Sequence, residues 1–176
     1  MRLPTLQSGR TGFPGAVERL VTFWALAGGV TLLVIVGVNV LEVVSAITRP
    51  VTGRFSGGVE LTSLLAAVAA FCFLPYCQLV DANVSADIFT AKASPRAVAA
   101  FKAVAAVVAT GFAILLLWRM SEGMMDQRRY GLSTTILNVP VWPAYAAALV
   151  SLALLALASL VSLYEYVGRA AGRKEP

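Results

Sequence analysis

The chain has 176 residues, of which 59% are hydrophobic and 13% are charged, and its mean hydropathy is +0.79. These values exclude a soluble globular domain, a disordered chain and a fibrous repeat, and they leave an integral membrane protein of one domain, residues 1–176. The net charge of +5, carried without any histidine, is a topology signal in such a protein and does not indicate a nucleic-acid partner.

Four apolar stretches are each long enough to cross a bilayer, which takes about 20 mostly apolar residues in a helix. They are residues 20–41, 61–80, 97–118 and 141–163. Apart from Lys102, near the start of the third stretch, these stretches contain no Lys, Arg, Asp or Glu. The sequence therefore predicts an all-α membrane protein with four transmembrane helices and both termini on one side.

The distribution of all 14 basic residues predicts which side that is. Nine of them lie in the two tails or around the connection between the second and third spans, and five lie near the other two connections. Because the cytoplasmic loops of membrane proteins carry the excess of Lys and Arg, both termini are predicted to be cytoplasmic.

Two connections are long enough to have a structure of their own. Residues 81–93 carry Val84, Ile88 and Phe89 at helical spacing among polar residues, which predicts a short interfacial helix after the second span. Residues 121–139 begin polar and become apolar, and we expect them to lie along the external interface.

No catalytic chemistry is visible in the sequence. There is no phosphate-binding glycine loop, no Ser–His–Asp set and no nucleotide motif, so neither an enzyme nor a bound cofactor is predicted. A membrane thiol oxidoreductase would need a reactive cysteine pair, but Cys72 and Cys77 are five residues apart on one apolar helix and cannot reach each other. They are interpreted as small buried hydrophobic residues.

Two polar residues near the outer end of the first span are the candidates for ion or proton coupling. Asn39 and Glu42 would serve this role in a self-sufficient carrier acting as a homo-oligomer, whereas the simpler interpretation of Glu42 is a side chain that snorkels or pairs at the interface. Charge inside the membrane is the usual sign of a transport pathway, and the middle of the four spans has none.

Small residues recur at four-residue spacing on three of the predicted helices. Ala25 and Gly29 lie on the first, Ala105, Ala109 and Ala113 on the third, and Ala144 and Ala148 on the fourth. Such residues allow close helix contact in lipid. They are equally consistent with packing inside the four-helix domain and with docking to another membrane protein.

Four short motifs, in order along the chain, resemble one family of transport proteins. They are Arg49-Pro50 after the first span, Gly58-Val59-Glu60-Leu61 at the start of the second, Asn83-Val84-Ser85-Ala86-Asp87 after it, and Val139-Pro140-Val141-Trp142 before the fourth. Together with the hydropathy profile, they resemble the small DctQ-like membrane subunit of tripartite ATP-independent periplasmic (TRAP) transporters from about residue 15 to residue 168. Asn83 stands where many members carry histidine.

This resemblance implies a scaffold subunit in the bacterial inner membrane. Its partners would be a large multi-spanning permease subunit, a periplasmic substrate-binding protein and membrane lipid, and the complex would drive uptake of an organic acid with sodium. The residues implied in subunit contacts or structural polar roles are Arg49, Glu60, Asn83, Asp87 and Trp142. Arg128 and Arg129 would face the periplasm, where the binding protein could meet them.

Overall fold

The structure is a computed structural model that describes residues 13–48, 57–80 and 95–170. These residues form four helices, which are α1 (Phe13–Ile47), α2 (Gly58–Leu79), α3 (Pro95–Arg129) and α4 (Trp142–Ala170). Each helix is long and apolar enough to span a membrane, and the described residues contain no strand beyond one isolated bridge. The prediction of an all-helical chain with four membrane-spanning helices is confirmed.

Some predicted features lie outside the described residues. They are the interfacial helix at 81–93, with Asn83 and Asp87, and the position of Arg49. The cytoplasmic orientation of both termini stays a prediction from the distribution of basic residues.

The four helices pack side by side as a bent row in the order α1, α2, α4, α3. The two middle helices pack against each other, α1 packs mainly against α2, and α3 packs against α4. We call the end where α1 and α3 stop and α2 and α4 start the loop end. The opposite end, where α1 and α3 start, is the tail end.

An apolar cluster holds α1, α2 and α4 together towards the tail end. Its buried members are Val17, Val21, Leu79, Leu154, Ala158 and Val161, and Trp24 and Tyr76 pack against it. The Trp24 indole N–H also donates a hydrogen bond of 2.8 Å to Ser151 Oγ, which joins α1 to α4. This cluster explains why the row bends, since α1 reaches α4 here as well as α2.

The small residues divide between the inside and the outside of the row. Ala113 and Ala148 are buried, whereas a Cβ added at Gly29 would meet no atom within 4 Å. Close packing of α1 on α2 depends instead on Gly28, where an added Cβ would lie 2.7 Å from Cys72 Cβ. Cys72 is a free, buried cysteine in this contact.

Helix α3 is longer than its apolar stretch. The sequence predicted a connection at 121–139, but the helix continues to Arg129 and the connection is residues 130–141. Residues 119–129 keep helical spacing of opposite charges, as in the Arg119–Glu122 pair at 3.4 Å. Hydropathy therefore marked where the lipid-facing part ends and not where the helix ends.

Candidate functional site

The connection between α3 and α4 forms a small hairpin, residues 130–141, at the loop end. The Thr134 N–H donates to the carbonyl of Val139 at 2.9 Å, and the Val141 N–H donates to the carbonyl of Leu132 at 3.2 Å. The Thr134 hydroxyl oxygen also accepts the Val139 N–H at 3.0 Å. These bonds give the connection a defined shape of its own.

The hairpin begins where a glycine ends α3. Gly131 has φ +60°, the left-handed conformation that commonly terminates helices at the residue after the last helical turn. The following N–H, of Leu132, donates back to the carbonyl of Gln127 at 3.1 Å. The chain therefore leaves the α3 axis sharply and turns towards α2.

Glu60 fastens the tip of this hairpin to α2. Its Oε1 accepts the N–H of Thr135 at 2.7 Å, and its Oε2 accepts the N–H groups of Ile136 at 3.1 Å and Leu137 at 3.3 Å. Three successive backbone donors thus converge on one carboxylate about 75 residues away in the chain. An ionised carboxylate is an acceptor only, so it suits a concave row of N–H groups.

A side-chain contact beside Glu60 also holds the tip of the hairpin against α2. Leu137 lies against Gly57, the residue before α2, and a Cβ at Gly57 would fall 2.6 Å from Leu137 Cγ. Gly57 also has φ +117°, which side chains of L-residues rarely adopt. Position 57 therefore needs glycine both for its backbone conformation and for space.

Asn39 and Glu42 connect α1 to the start of α2. The Asn39 amide nitrogen donates to the Ile35 carbonyl at 2.7 Å and to Thr62 Oγ1 at 3.2 Å. The Glu42 carboxylate lies directly against Gly58, at the helix end where the α2 dipole is positive. Both residues have structural contacts in the row, and a coupling role for either stays a prediction.

Trp142 and Arg128, which the sequence analysis assigned to different partners, contact each other. The Arg128 guanidinium carbon lies 5.5 Å from the centroid of the Trp142 ring, a cation–π geometry that joins the last turn of α3 to the first residue of α4. Arg128 and Arg129 are exposed, and Trp142 is 39% exposed. This pair closes the base of the hairpin.

The structure thus brings Glu60, Trp142 and Arg128 to one end of the molecule. The sequence analysis missed Gly57, Leu137 and the three amides that Glu60 accepts. Backbone N–H groups carry no sequence signature, so the partner of Glu60 could not be recognised. The Gly57-Gly58 pair, separated from Glu60 only by Val59, was the signal that a close contact forms here.

The contacts at the loop end hold parts of the protein in place. Within residues 13–48, 57–80 and 95–170, no group of three or more His, Cys, Asp or Glu is placed to hold a metal ion. The buried polar side chains of these ranges are uncharged, and they are Thr110, Ser151, Ser159 and Ser162.

One comparison with known proteins finds a match. A family model described as the DctQ component of tripartite ATP-independent periplasmic transporters matches residues 35–169, about three quarters of the chain. No curated protein and no solved structure gives a match. The matched range contains α2, α3 and nearly all of α4, together with the whole loop end of the row.

Proposed function

The chain belongs to the DctQ family, the small membrane component of TRAP transporters, and from that premise we propose that it is the fixed scaffold subunit of such a transporter. The family is a transporter component and not an enzyme family, and the chain is a multi-pass membrane protein. In this proposal a large permease subunit carries the substrate and sodium sites, and a periplasmic binding protein delivers an organic acid.

The open row of helices is the observation that carries the scaffold role. In the most apolar segment of each helix, 44% of residues are buried in α4, but only 6% in α1 and 11% in α3. The two edge helices therefore offer long apolar surfaces to lipid or to another membrane protein. Since packing drives association in lipid, a second protein can extend the row at an edge.

We assign the α1 edge to the large subunit because it carries an exposed amide. Asn39 is exposed, and its Oδ1 accepts no hydrogen bond from the described residues. Polar side chains in membranes favour contact between helices, because lipid offers them no hydrogen-bond partner. The outer face of α3 is apolar between Phe101 and Trp118, which suits lipid.

The orientation of the row follows from the basic residues. Both termini and the tail end lie in the cytoplasm, and the loop end lies in the periplasm of the bacterial inner membrane. The hairpin of residues 130–141, with Arg128 and Arg129 beside it, then faces the compartment of the binding protein.

Copurification tests the proposal. The tagged chain is extracted from native membranes in mild detergent, with and without prior cross-linking. The retained proteins are then identified and quantified by mass spectrometry. We expect a protein of about a dozen spans in equal amount, and a soluble periplasmic protein after cross-linking. If the chain emerges alone or as a homo-oligomer, the proposal is wrong, and transport by the purified chain in liposomes would support a self-sufficient carrier.

Two variants test the assignment of the α1 edge. Asn39→Leu removes the exposed amide, and we expect retention of the large subunit to fall several-fold. Thr62→Val is the matched control, because it removes the same hydrogen bond within the row but keeps the amide. Equal losses in both variants would show that the amide acts only inside the subunit.

A further inference from the structure

The hairpin of residues 130–141 is held more firmly than a connection between neighbouring helices requires. Twelve residues separate Arg129 from Trp142, whereas helices in bundles are usually joined by roughly 2–8 residues. The additional length does not hang free, because its tip is fastened to α2 by Glu60 and by the contact of Leu137 with Gly57. Long ordered loops on a rigid scaffold are where binding residues are usually found.

We propose that Glu60 is a positioning residue, which holds the tip of this hairpin on α2 so that the outer surface of the hairpin docks the soluble periplasmic protein. This inference rests on the proposed function, which supplies that partner. Beyond that function, it identifies the outer side of the hairpin as the surface that the partner contacts, and Glu60 as the side chain that holds this surface in shape. Glu60 itself does not contact the partner, since both of its oxygens face the hairpin amides.

The residues on the outer side of the hairpin fit a protein partner. Tyr130 is 69% exposed, and Leu132 and Ile136 are 47% and 56% exposed. Arg129 adds an exposed guanidinium beside them. Tyrosine and arginine flanking apolar side chains are typical of the residues that dominate protein–protein binding.

The charges around the hairpin argue against lipid as its partner. Asp126, Arg128 and Arg129 are all exposed within one turn of its base. Carboxylates and guanidinium groups at adjacent positions stay in water or pair with a protein surface, because burying them in hydrocarbon is costly. A soluble protein with a mixed polar and apolar patch meets these groups without that cost.

The hydrogen bonds from the hairpin tip to Glu60 explain how the docking surface is preorganised. A loose loop of this length would lose conformational freedom on docking, and that loss would weaken the complex. Three backbone N–H groups on one carboxylate remove this freedom before the partner arrives. Loss of the carboxylate should therefore weaken docking without removing any contact atom.

Glu60→Gln is the direct test, made in the complete membrane complex in nanodiscs. Its amide nitrogen would face a backbone donor, so we expect hydrogen exchange of the amides of residues 135–137 to rise at least tenfold. The concentration of the soluble partner that half-saturates the complex should rise about tenfold, with the large subunit retained. Glu122→Gln removes a carboxylate of the same end that, among the described residues, pairs with exposed Arg119, and both values should stay within twofold of wild type.

A second variant separates docking from folding. Ile136→Ser changes the exposed surface but keeps the backbone N–H that Glu60 accepts, so exchange should stay as in the wild type while the half-saturating concentration rises several-fold. If Glu60→Gln does not accumulate in the membrane, Ile136→Ser alone tests the docking surface. An unchanged half-saturating concentration of the soluble partner would then overturn the inference.

Three outcomes would overturn the inference. Exchange at residues 135–137 that is unchanged in Glu60→Gln would show that the carboxylate does not hold the tip. Unchanged docking in both variants would show that the hairpin is not the docking surface. Loss of the large subunit from Glu60→Gln alone would place that subunit on the hairpin. A wild-type chain that retains no partner would instead contradict the proposed function.

Discussion

The tail end and the loop end of the row are held by different kinds of contact. At the tail end, apolar side chains of three helices pack into the cluster around Val21 and Leu154. At the loop end, a carboxylate, an amide and a guanidinium meet backbone donors, a hydroxyl and an aromatic ring.

The difference reflects what each kind of contact can specify. Apolar packing is non-directional, so it brings helices together but tolerates small shifts along their axes. Hydrogen bonds to named backbone groups fix a loop at one position. The end that we assign to partner docking is thus the end whose geometry is set by directional contacts, and four substitutions test this contrast.

Gly57→Val should have the largest effect. It places a β-branched residue at φ +117° and drives its side chain into Leu137, so we expect a loss of about 3 kcal/mol in the free energy of unfolding. Unfolding in mixed micelles of rising dodecyl sulfate content measures this loss. Gly29→Val, in open space on α1, is the control and should cost less than about 1 kcal/mol. Equal costs would mean that the tip is not seated on Gly57.

Leu154→Ala probes the tail end by creating a cavity in the apolar cluster. We expect a loss of about 2 kcal/mol, the lower end of the range for soluble cores, because unfolded helices remain in the micelle. The same unfolding titration applies. Leu157→Ala, on the more exposed side of α4, should lose less than half as much. A similar loss for both would contradict a packed tail end.

Trp24→Phe removes the one indole hydrogen bond that the structure describes between α1 and α4. The expected cost is about 1 kcal/mol, since such bonds within membranes contribute modestly. Trp118→Phe is the control, because that indole is 64% exposed. If the two variants unfold at the same detergent fraction, the bond to Ser151 contributes nothing.

Glu122→Gln should have the smallest effect. Its ion pair with Arg119 is exposed on both sides, so we expect a change below about 0.5 kcal/mol, diminishing further with salt. A larger, salt-independent loss would mean that polar contacts at the loop end matter even where water surrounds them.

The sequence predicted the parts of the fold that the bilayer dictates. Runs of about 20 apolar residues are required by the thickness of the hydrocarbon layer, so all four helices were found. The order of helices in the row could not be predicted, because alanine is so frequent that inward positions such as Ala113 look like outward ones such as Ala105. The end of α3 was missed since charged residues 119–129 are helical without being apolar.

The candidate site was predicted in composition but not in arrangement. Glu60, Trp142 and Arg128 were selected one by one from local motifs. Their contacts join residues that are 14 to about 75 positions apart, and one side of the main contact is backbone. No residue pattern encodes such a pairing.

The two edge helices differ in how far each continues beyond its apolar stretch. The apolar stretch of α1 ends at Leu41, six residues before the helix ends at Ile47, whereas that of α3 ends at Trp118, eleven residues before the helix ends at Arg129. Eleven helical residues rise about 16 Å, so α3 carries the base of the hairpin well beyond the hydrocarbon layer.

The distance of the hairpin from the membrane surface depends on how far α3 leans from the membrane normal, because a leaning helix rises less along that normal. Oriented-sample infrared spectroscopy would measure that lean as an angle between the amide transition dipoles and the membrane normal. The polar last turns of α3, residues 119–129, thus act as a spacer that sets the height of the hairpin above the membrane, and removing one of these turns should lower the hairpin by about 5 Å.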